Sequence, residues 1–374
     1  MRRHMATLAK WQTNLNDRAS FGLLRKLPID KQMIDFASND YLGLARNAVF
    51  QQSLLELAMN DPALMTGSTG SRLITGNSLL QERVEAFLAE RYAVEAALLF
   101  PSGYTANLSL LSALPQRGDT LIVDELIHRS VHDGCLMNQA NKWKFRHQDL
   151  NHLEELLKRA KDQSWVVVES VYSMDGDIAR LKELAELAMA YDAHLIVDEA
   201  HAVGVFGDGL VQEYGLQSQV FATVVTYGKA MGLHGAAILG SETLKSYLIN
   251  YASPFIYSTA MPDLMALSIQ AGYEFLDRNT HLRQKLQDRI ACFESEMFDK
   301  YSKSLLNPIQ PVIIADLNKL KNLSKEIKEH GFHVYAVLPP TVPEGTGRFR
   351  ISIHQYNTQE EIKQLVQLIK SNIE

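Results

Sequence analysis

The sequence has 374 residues, 46% of them apolar and 21% charged, a balance that excludes a disordered chain and allows a large buried core. Thirty-seven Lys and Arg against forty-three Asp and Glu give a formal charge of −6, with no basic block, which argues against a nucleic-acid partner. The two cysteines, Cys135 and Cys292, have no CxxC spacing; they exclude a disulfide framework and a zinc site, no metal is expected, and a reducing cytosol fits.

At the start of the chain, the basic Met1-Arg2-Arg3-His4 is followed by Lys10, Asn14, Asp17 and Arg18 rather than by the apolar region of a signal peptide. No apolar run approaches the roughly 18 to 20 residues needed to cross a bilayer, so a soluble chain with no membrane partner is expected. Buried strands are predicted at Ala96–Phe100, Thr120–Val123, Trp165–Val168, His194–Val197, Ala222–Thr226 and Ala236–Leu239. Helical patterns such as Asp149–Lys161 and Arg180–Tyr191 separate most of them. That alternation reads as an α/β fold, a mostly parallel sheet with helices on both faces. After Pro262 the pattern changes to one long helical stretch, then Pro311–Ala315, a helix near Leu317–His330, Val334–Val337, Phe349–Ile353 and a terminal helix near Thr358–Lys370. The expected organisation is an N-terminal segment (1–45), a large α/β domain (46–262) and a smaller α+β domain (263–374).

Open α/β sheets bind ligands beyond the C-terminal ends of their strands, and four ends here are unusually polar. They run into Pro101-Ser102-Gly103-Tyr104, Glu169-Ser170-Val171-Tyr172-Ser173, Asp198-Glu199-Ala200-His201 and Tyr227-Gly228-Lys229. Each has a bland reading alone: a helix cap, a satisfied interior histidine, a turn with a solvated lysine. Taken together they suit pyridoxal phosphate, which needs a Schiff-base lysine, a carboxylate at the pyridine nitrogen and an anion cradle. Lys229, Asp198 and a helix starting at Gly103-Tyr104 would supply these, with the Thr226 hydroxyl assisting at the phosphate.

Those residues carry a resemblance. The chain resembles the α-oxoamine synthases, a family of fold-type I pyridoxal-phosphate enzymes, over nearly its whole length. The markers are Asn39-Asp40-Tyr41-Leu42-Gly43-Leu44, Gly67-Ser68-Thr69-Gly70-Ser71-Arg72, Ser102 through Asn107, Ser173-Met174-Asp175-Gly176-Asp177, Asp198 through His201, Thr226 through Lys229, and Arg348-Phe349-Arg350. Two positions depart from the family pattern: Thr69 stands where Gly is common, and Arg129 where a small residue is usual.

The resemblance implies roles. Lys229 would carry the cofactor and exchange the substrate Cα proton, Asp198 would pair with the ring nitrogen, and His201 and Ser173 would engage the 3-hydroxyl side. His128 would stack on the open face of the ring. Asn39 and Arg350 would hold the amino-acid carboxylate, with Arg348 as a rival on the same strand face, and Arg25 and Thr341 would be further substrate contacts. In a homodimer, Ser258 and Thr259 of one subunit would reach the phosphate of the other; their bland reading is a helix N-cap. The family condenses an amino acid with an acyl thioester and releases carbon dioxide. Leu338 through Thr346 and Phe255-Ile256-Tyr257-Ser258-Thr259 are similar to the branch serving biotin synthesis. That branch implies L-alanine and a pimeloyl thioester, carried on coenzyme A or acyl carrier protein. A glycine-using member, an ordinary aminotransferase and a catalytically silent protein of the same fold are the alternatives.

Overall fold

A computed structural model describes residues 2–21, 23–25, 27, 33–297, 307–339 and 341–373; Met1 and Pro340, quoted above, lie outside the described residues. The chain divides into two units, Met1–Met33 and Ile34–Glu374. The first holds a helix, Arg2–Ser20, on which Leu8, Trp11 and Leu15 fall about one turn apart along one face. Arg25 follows that helix and is exposed.

The strands in chain order are β1 (Ile34–Asp35), β2 (Ala96–Phe100), β3 (Thr120–Asp124), β4 (Asn141–Phe145), β5 (Ser164–Glu169), β6 (His194–Asp198), β7 (Ala222–Thr226), β8 (Ala236–Gly240), β9 (Ile309–Ile313), β10 (Phe332–His333), β11 (Tyr335–Val337) and β12 (Arg348–Ser352). Every apolar run predicted between 96 and 240 is a strand within a residue or so of its expected ends. Seven strands form one sheet in the order β2-β8-β7-β6-β5-β3-β4. Only β8 runs against its neighbours; the other pairings are parallel. β6 is the middle strand, so Asp198 ends the centre of the sheet.

Alternation along each strand distributes side chains between two cores. Val166, Val168, Leu195 and Val197 join one cluster, whereas Trp165, Val167 and Ile196 join the other on the opposite face. Both faces are covered, which is why these strands read as continuous apolar runs. β4 is the exception that the sequence did not announce. Its Lys142 and Lys144 are exposed at the edge of the sheet, and a charged edge strand carries no apolar pattern to detect.

The long helical stretch expected after Pro262 is two helices, Asp263–Arg278 and His281–Met297. The break falls at Asn279, whose φ of −124° and ψ of 47° leave the helical region and whose side-chain amide bonds back to the Phe275 carbonyl at 2.9 Å. Beyond them, β11-β12-β9 form an antiparallel sheet. On β12, Phe349 and Ile351 are fully buried in the core; Arg348, Arg350 and Ser352 occupy the alternate positions. Parallel pairing of β1 with β10 ties Ile34 and Asp35 to the same region. Among the described residues no helix is long and apolar enough to cross a membrane.

Candidate active site

A cavity of about 240 Å³ opens at the C-terminal ends of the parallel strands. Asn39, Gly103, Tyr104, His128, Asp198, Thr226 and Lys229 line it, as do Glu169, Asn107, Ser130 and His234. Lys229 is presented by the loop from β7 to β8. Tyr227 N–H donates to the Gly235 carbonyl (3.0 Å) and Gly232 N–H to the Lys229 carbonyl (2.8 Å), so the loop is tightly closed. Burial pushes the Lys229 ammonium below its ordinary range and the Arg350 charge adds to this, against the pull of Asp198 and Glu169.

Asp198 accepts from Asn107 Nδ2 at 2.8 Å and from Ala200 N–H at 2.9 Å. The next residue, Glu199, turns the other way and accepts the Leu210 and Val211 amides at 2.8 and 2.7 Å. His201 is buried, its Nδ1 lies 2.9 Å from the Tyr41 hydroxyl, and burial together with the charges of Lys229, Arg350 and His128 pushes it well below its usual range. Glu169 pairs in register with Asp198 across β5 and β6. Its carboxyl accepts the His128 N–H at 2.6 Å, and burial, with Asp198 beside it, pushes it up to about 8.

The helix expected at Gly103-Tyr104 begins at Gly103 and runs to Ala113, with the Ser102 hydroxyl accepting from Thr105 N–H at 3.2 Å. Its first amides have no intrahelical acceptor. A Cβ at Gly103 would stand 2.4 Å from Thr226 Cγ2, so only glycine lets this helix start meet the end of β7. An anion cradle, an amine and a buried carboxylate at one cavity fit the donor set that pyridoxal phosphate requires.

Arg350 is buried and spends its donors on Asn39 Oδ1 (3.0 Å), the Tyr41 hydroxyl (3.3 Å), Ser352 Oγ (2.9 Å) and the Ser173 carbonyl (2.5 Å). Arg348, two residues earlier, turns to the Asp175 carboxylate and to the Thr346 carbonyl (3.0 Å). Both therefore grip the Ser173–Asp177 loop. Gly176 in that loop has φ +69°, and a Cβ there would meet the Ile309 carbonyl oxygen at 2.2 Å.

Ser258 and Thr259 do not line the Lys229 cavity. The Ser258 hydroxyl donates to the Pro254 carbonyl at 2.6 Å and Thr259 bridges to Ser71. The alternative reading of them as a helix N-cap does not hold, because Pro262 occupies that position. Thr341 is exposed on a turn, its N–H donating to the Leu338 carbonyl at 3.0 Å, and it is outside that cavity. Arg25 belongs to the N-terminal unit. Thr69 holds φ 50°, a left-handed conformation that explains why glycine suits its position. Arg129 is exposed and pairs with Asp133 at 2.6 Å. Glu169, Asn107 and Tyr41 lie within the motifs named above and Ser130 lies outside them; the structure adds all four to the site. Asn107 stands four residues after Gly103, one helical turn along the same face, and that spacing was the available signal.

The family model described as aminotransferase class I and II matches residues 31–369. An 8-amino-7-oxononanoate synthase from Chromobacterium violaceum is 40% identical, covering 91% of this chain and 88% of that one. Among solved structures, an 8-amino-7-oxononanoate synthase from Francisella tularensis superposes with a TM-score of 0.78 at 26% identity, over 92% of this chain and 98% of that one. A structure of SPT with PLP gives a TM-score of 0.84 at 26% identity, over 91% and 87%. The sheet order, the strand-end cavity and these similarities agree: the chain belongs to the aminotransferase class I and II family.

Proposed function

We propose that this protein is a pyridoxal-phosphate-dependent acyltransferase that condenses L-alanine with a pimeloyl thioester, giving 8-amino-7-oxononanoate, carbon dioxide and a free thiol for biotin synthesis. The observation that carries the reading is the strand-end cavity that Lys229 lines together with Asp198, Glu169 and His128, where burial disfavours the ammonium form of the lysine. The choice of alanine and pimeloyl group rests on likeness to synthases of that name. When bound, the cofactor supplies an electron sink for charge developing at the amino-acid Cα.

The chain's own residues do the rest. Lys229 Nζ would hold the cofactor, and would take the substrate Cα proton and later return it. Asp198 keeps the pyridine nitrogen protonated, and Asn107 and Ala200 N–H hold that carboxylate in place. Amides at Gly103 and Tyr104, with the Thr226 hydroxyl, bind the phosphate. His128 would lie against the cofactor ring, and His201 and Ser173 would serve its 3-hydroxyl side. Asn39 and Arg350 orient the alanine carboxylate, for which a planar guanidinium is suited. Thr341 contacts the acyl substrate, whose thioester is carried on coenzyme A or acyl carrier protein.

The same reading makes the working form a cytoplasmic homodimer, with Ser258 and Thr259 of one copy serving the phosphate of the other. Tyr257 beside them is 83% exposed, and Cys135 and Cys292 are free thiols, as a reducing compartment requires. A monomer by sedimentation with full activity would refute the shared site. The direct test is carbon dioxide release from L-alanine and pimeloyl-coenzyme A, with glycine and acetyl-coenzyme A as the competing pair. Release with the first pair is expected; release with only the second would overturn the substrate assignment.

A further inference from the structure

Between the middle of the sheet and the helix that follows β3, three buried polar groups, Asp198, Asn107 and Ser130, lead to the exposed His128 in a chain with only one consistent set of hydrogen-bond directions. Asn107 Nδ2 lies 2.8 Å from Asp198 Oδ2 and 3.0 Å from Ser130 Oγ. Flipping the amide would press its carbonyl oxygen against a carboxylate oxygen, so Asp198 forces both amide hydrogens into these two bonds. Ser130 Oγ, already an acceptor from Asn107, has one hydrogen to give. His128 Nδ1 is 2.8 Å away. The Ser130 N–H also points at that nitrogen, at 3.2 Å, making His128 the N-cap of helix Arg129–Leu136. Two donors converge on Nδ1, which must keep its lone pair. The proton of the neutral ring then belongs on Nε2.

We propose that Asn107 and Ser130 are positioning residues that transmit the orientation set by the Asp198 carboxylate to His128, fixing it as the Nε2–H tautomer with Nε2 as its hydrogen-bond donor. Glu169 completes the arrangement from the backbone side, accepting the His128 N–H at 2.6 Å. Asn107 and Ser130 are almost wholly buried, so each lost partner carries the full cost of an unsatisfied group. Burial and the Lys229 charge also disfavour the imidazolium, against Asp198 and Asp133, which favour it. The relay's role in catalysis rests on the proposed function, because Nε2–H can serve substrate only where His128 flanks the reacting group.

The test is nitrogen NMR of the full-length, cofactor-loaded protein with 15N-labelled histidine, His128 being assigned by its loss in His128→Gln. Among the 12 histidines, His128 should show an unprotonated Nδ1 and a protonated Nε2 near neutral pH. Ser130→Ala should raise the His128 titration midpoint by about one pH unit, a roughly tenfold gain in proton affinity. Ser130→Thr, which restores the hydroxyl, should bring it back. Protonated Nδ1 in the unsubstituted protein overturns the proposal even if the alanine variant does not fold, as does an unchanged midpoint in a folded Ser130→Ala. Carbon dioxide release is measured separately: its absence beside the expected tautomer would refute the reaction and leave the relay supported.

Discussion

The strand ends around Lys229 and the arginines of β12 are both buried and polar, yet they treat charge in opposite ways. At the strand ends, burial drives groups toward neutrality: Lys229, His128 and His201 are pushed down and Glu169 is pushed up to about 8. On β12 the guanidinium groups cannot discharge. They are satisfied instead, Arg350 by Asn39, Tyr41, Ser352 and the Ser173 carbonyl, Arg348 by Asp175 and Thr346. Groups poised near neutrality exchange protons readily, whereas fixed cations hold anions and loops. On the proposed function, the first region would move a proton and the second would hold still what the proton leaves.

The largest effect should come from the first region. Lys229→Ala removes the amine proposed to exchange the proton, so turnover should vanish and borohydride should fix no cofactor to the protein; a variant that keeps both would break the assignment of proton transfer to the strand ends. Next, Asp198→Asn should keep the cofactor bound and slow turnover by about 10²-fold, roughly 3 kcal/mol of barrier, in steady-state kinetics. A near-normal rate would mean that another group protonates the ring nitrogen.

The second region is sharpened by its two arginines. Arg350→Ala should weaken apparent alanine binding by about 2 to 3 kcal/mol in a spectroscopic titration while leaving the Lys229 linkage intact. Arg348→Ala should lower thermal stability by about 1 kcal/mol, since Asp175 keeps contact with water, with little change in alanine affinity. The reverse pattern would transfer the carboxylate role to Arg348.

His147 tests whether location or partners decide the treatment of charge. It sits near the end of β3, but Asp124 lies 2.9 Å from one ring nitrogen and Asp177 2.7 Å from the other. Against the burial that lowers it, those carboxylates raise it to about 10. A folded value above the unfolded one, about 6.5, means stability that is full below about 6.5 and lost as pH rises through about 10. His147→Asn should therefore cost about 1 to 2 kcal/mol near pH 6 and converge on the unsubstituted protein above about pH 10 in denaturant melts. A penalty independent of pH would show that His147 is held for packing alone.

The sequence by itself determined six of the seven strands of the sheet and the strand ends at which its cavity opens. Runs such as Trp165–Val168 and Leu195–Val197 are apolar at every residue because both faces of a parallel strand are covered, and the polar residues that follow, Glu169 and Asp198, mark the strand ends that meet the cavity. Gly103 was legible as a helix start for the same local reason. The break at Asn279 had a local signal in Asn279-Thr280, a helix stop followed by a capping residue, but the apolar spacing continues on both sides of it and masks the stop. Nor was the division of labour on β12: Arg348 and Arg350 are two residues apart on one face, and their different roles come from the loop opposite, which offers a carboxylate to one and a carbonyl to the other. The Asp198–Asn107–Ser130–His128 chain needs residues 91 positions apart to meet at 2.8 Å. Helical spacing could place Asn107 on an inward face, but only the packing of its helix over the sheet decided which carboxylate it would find there.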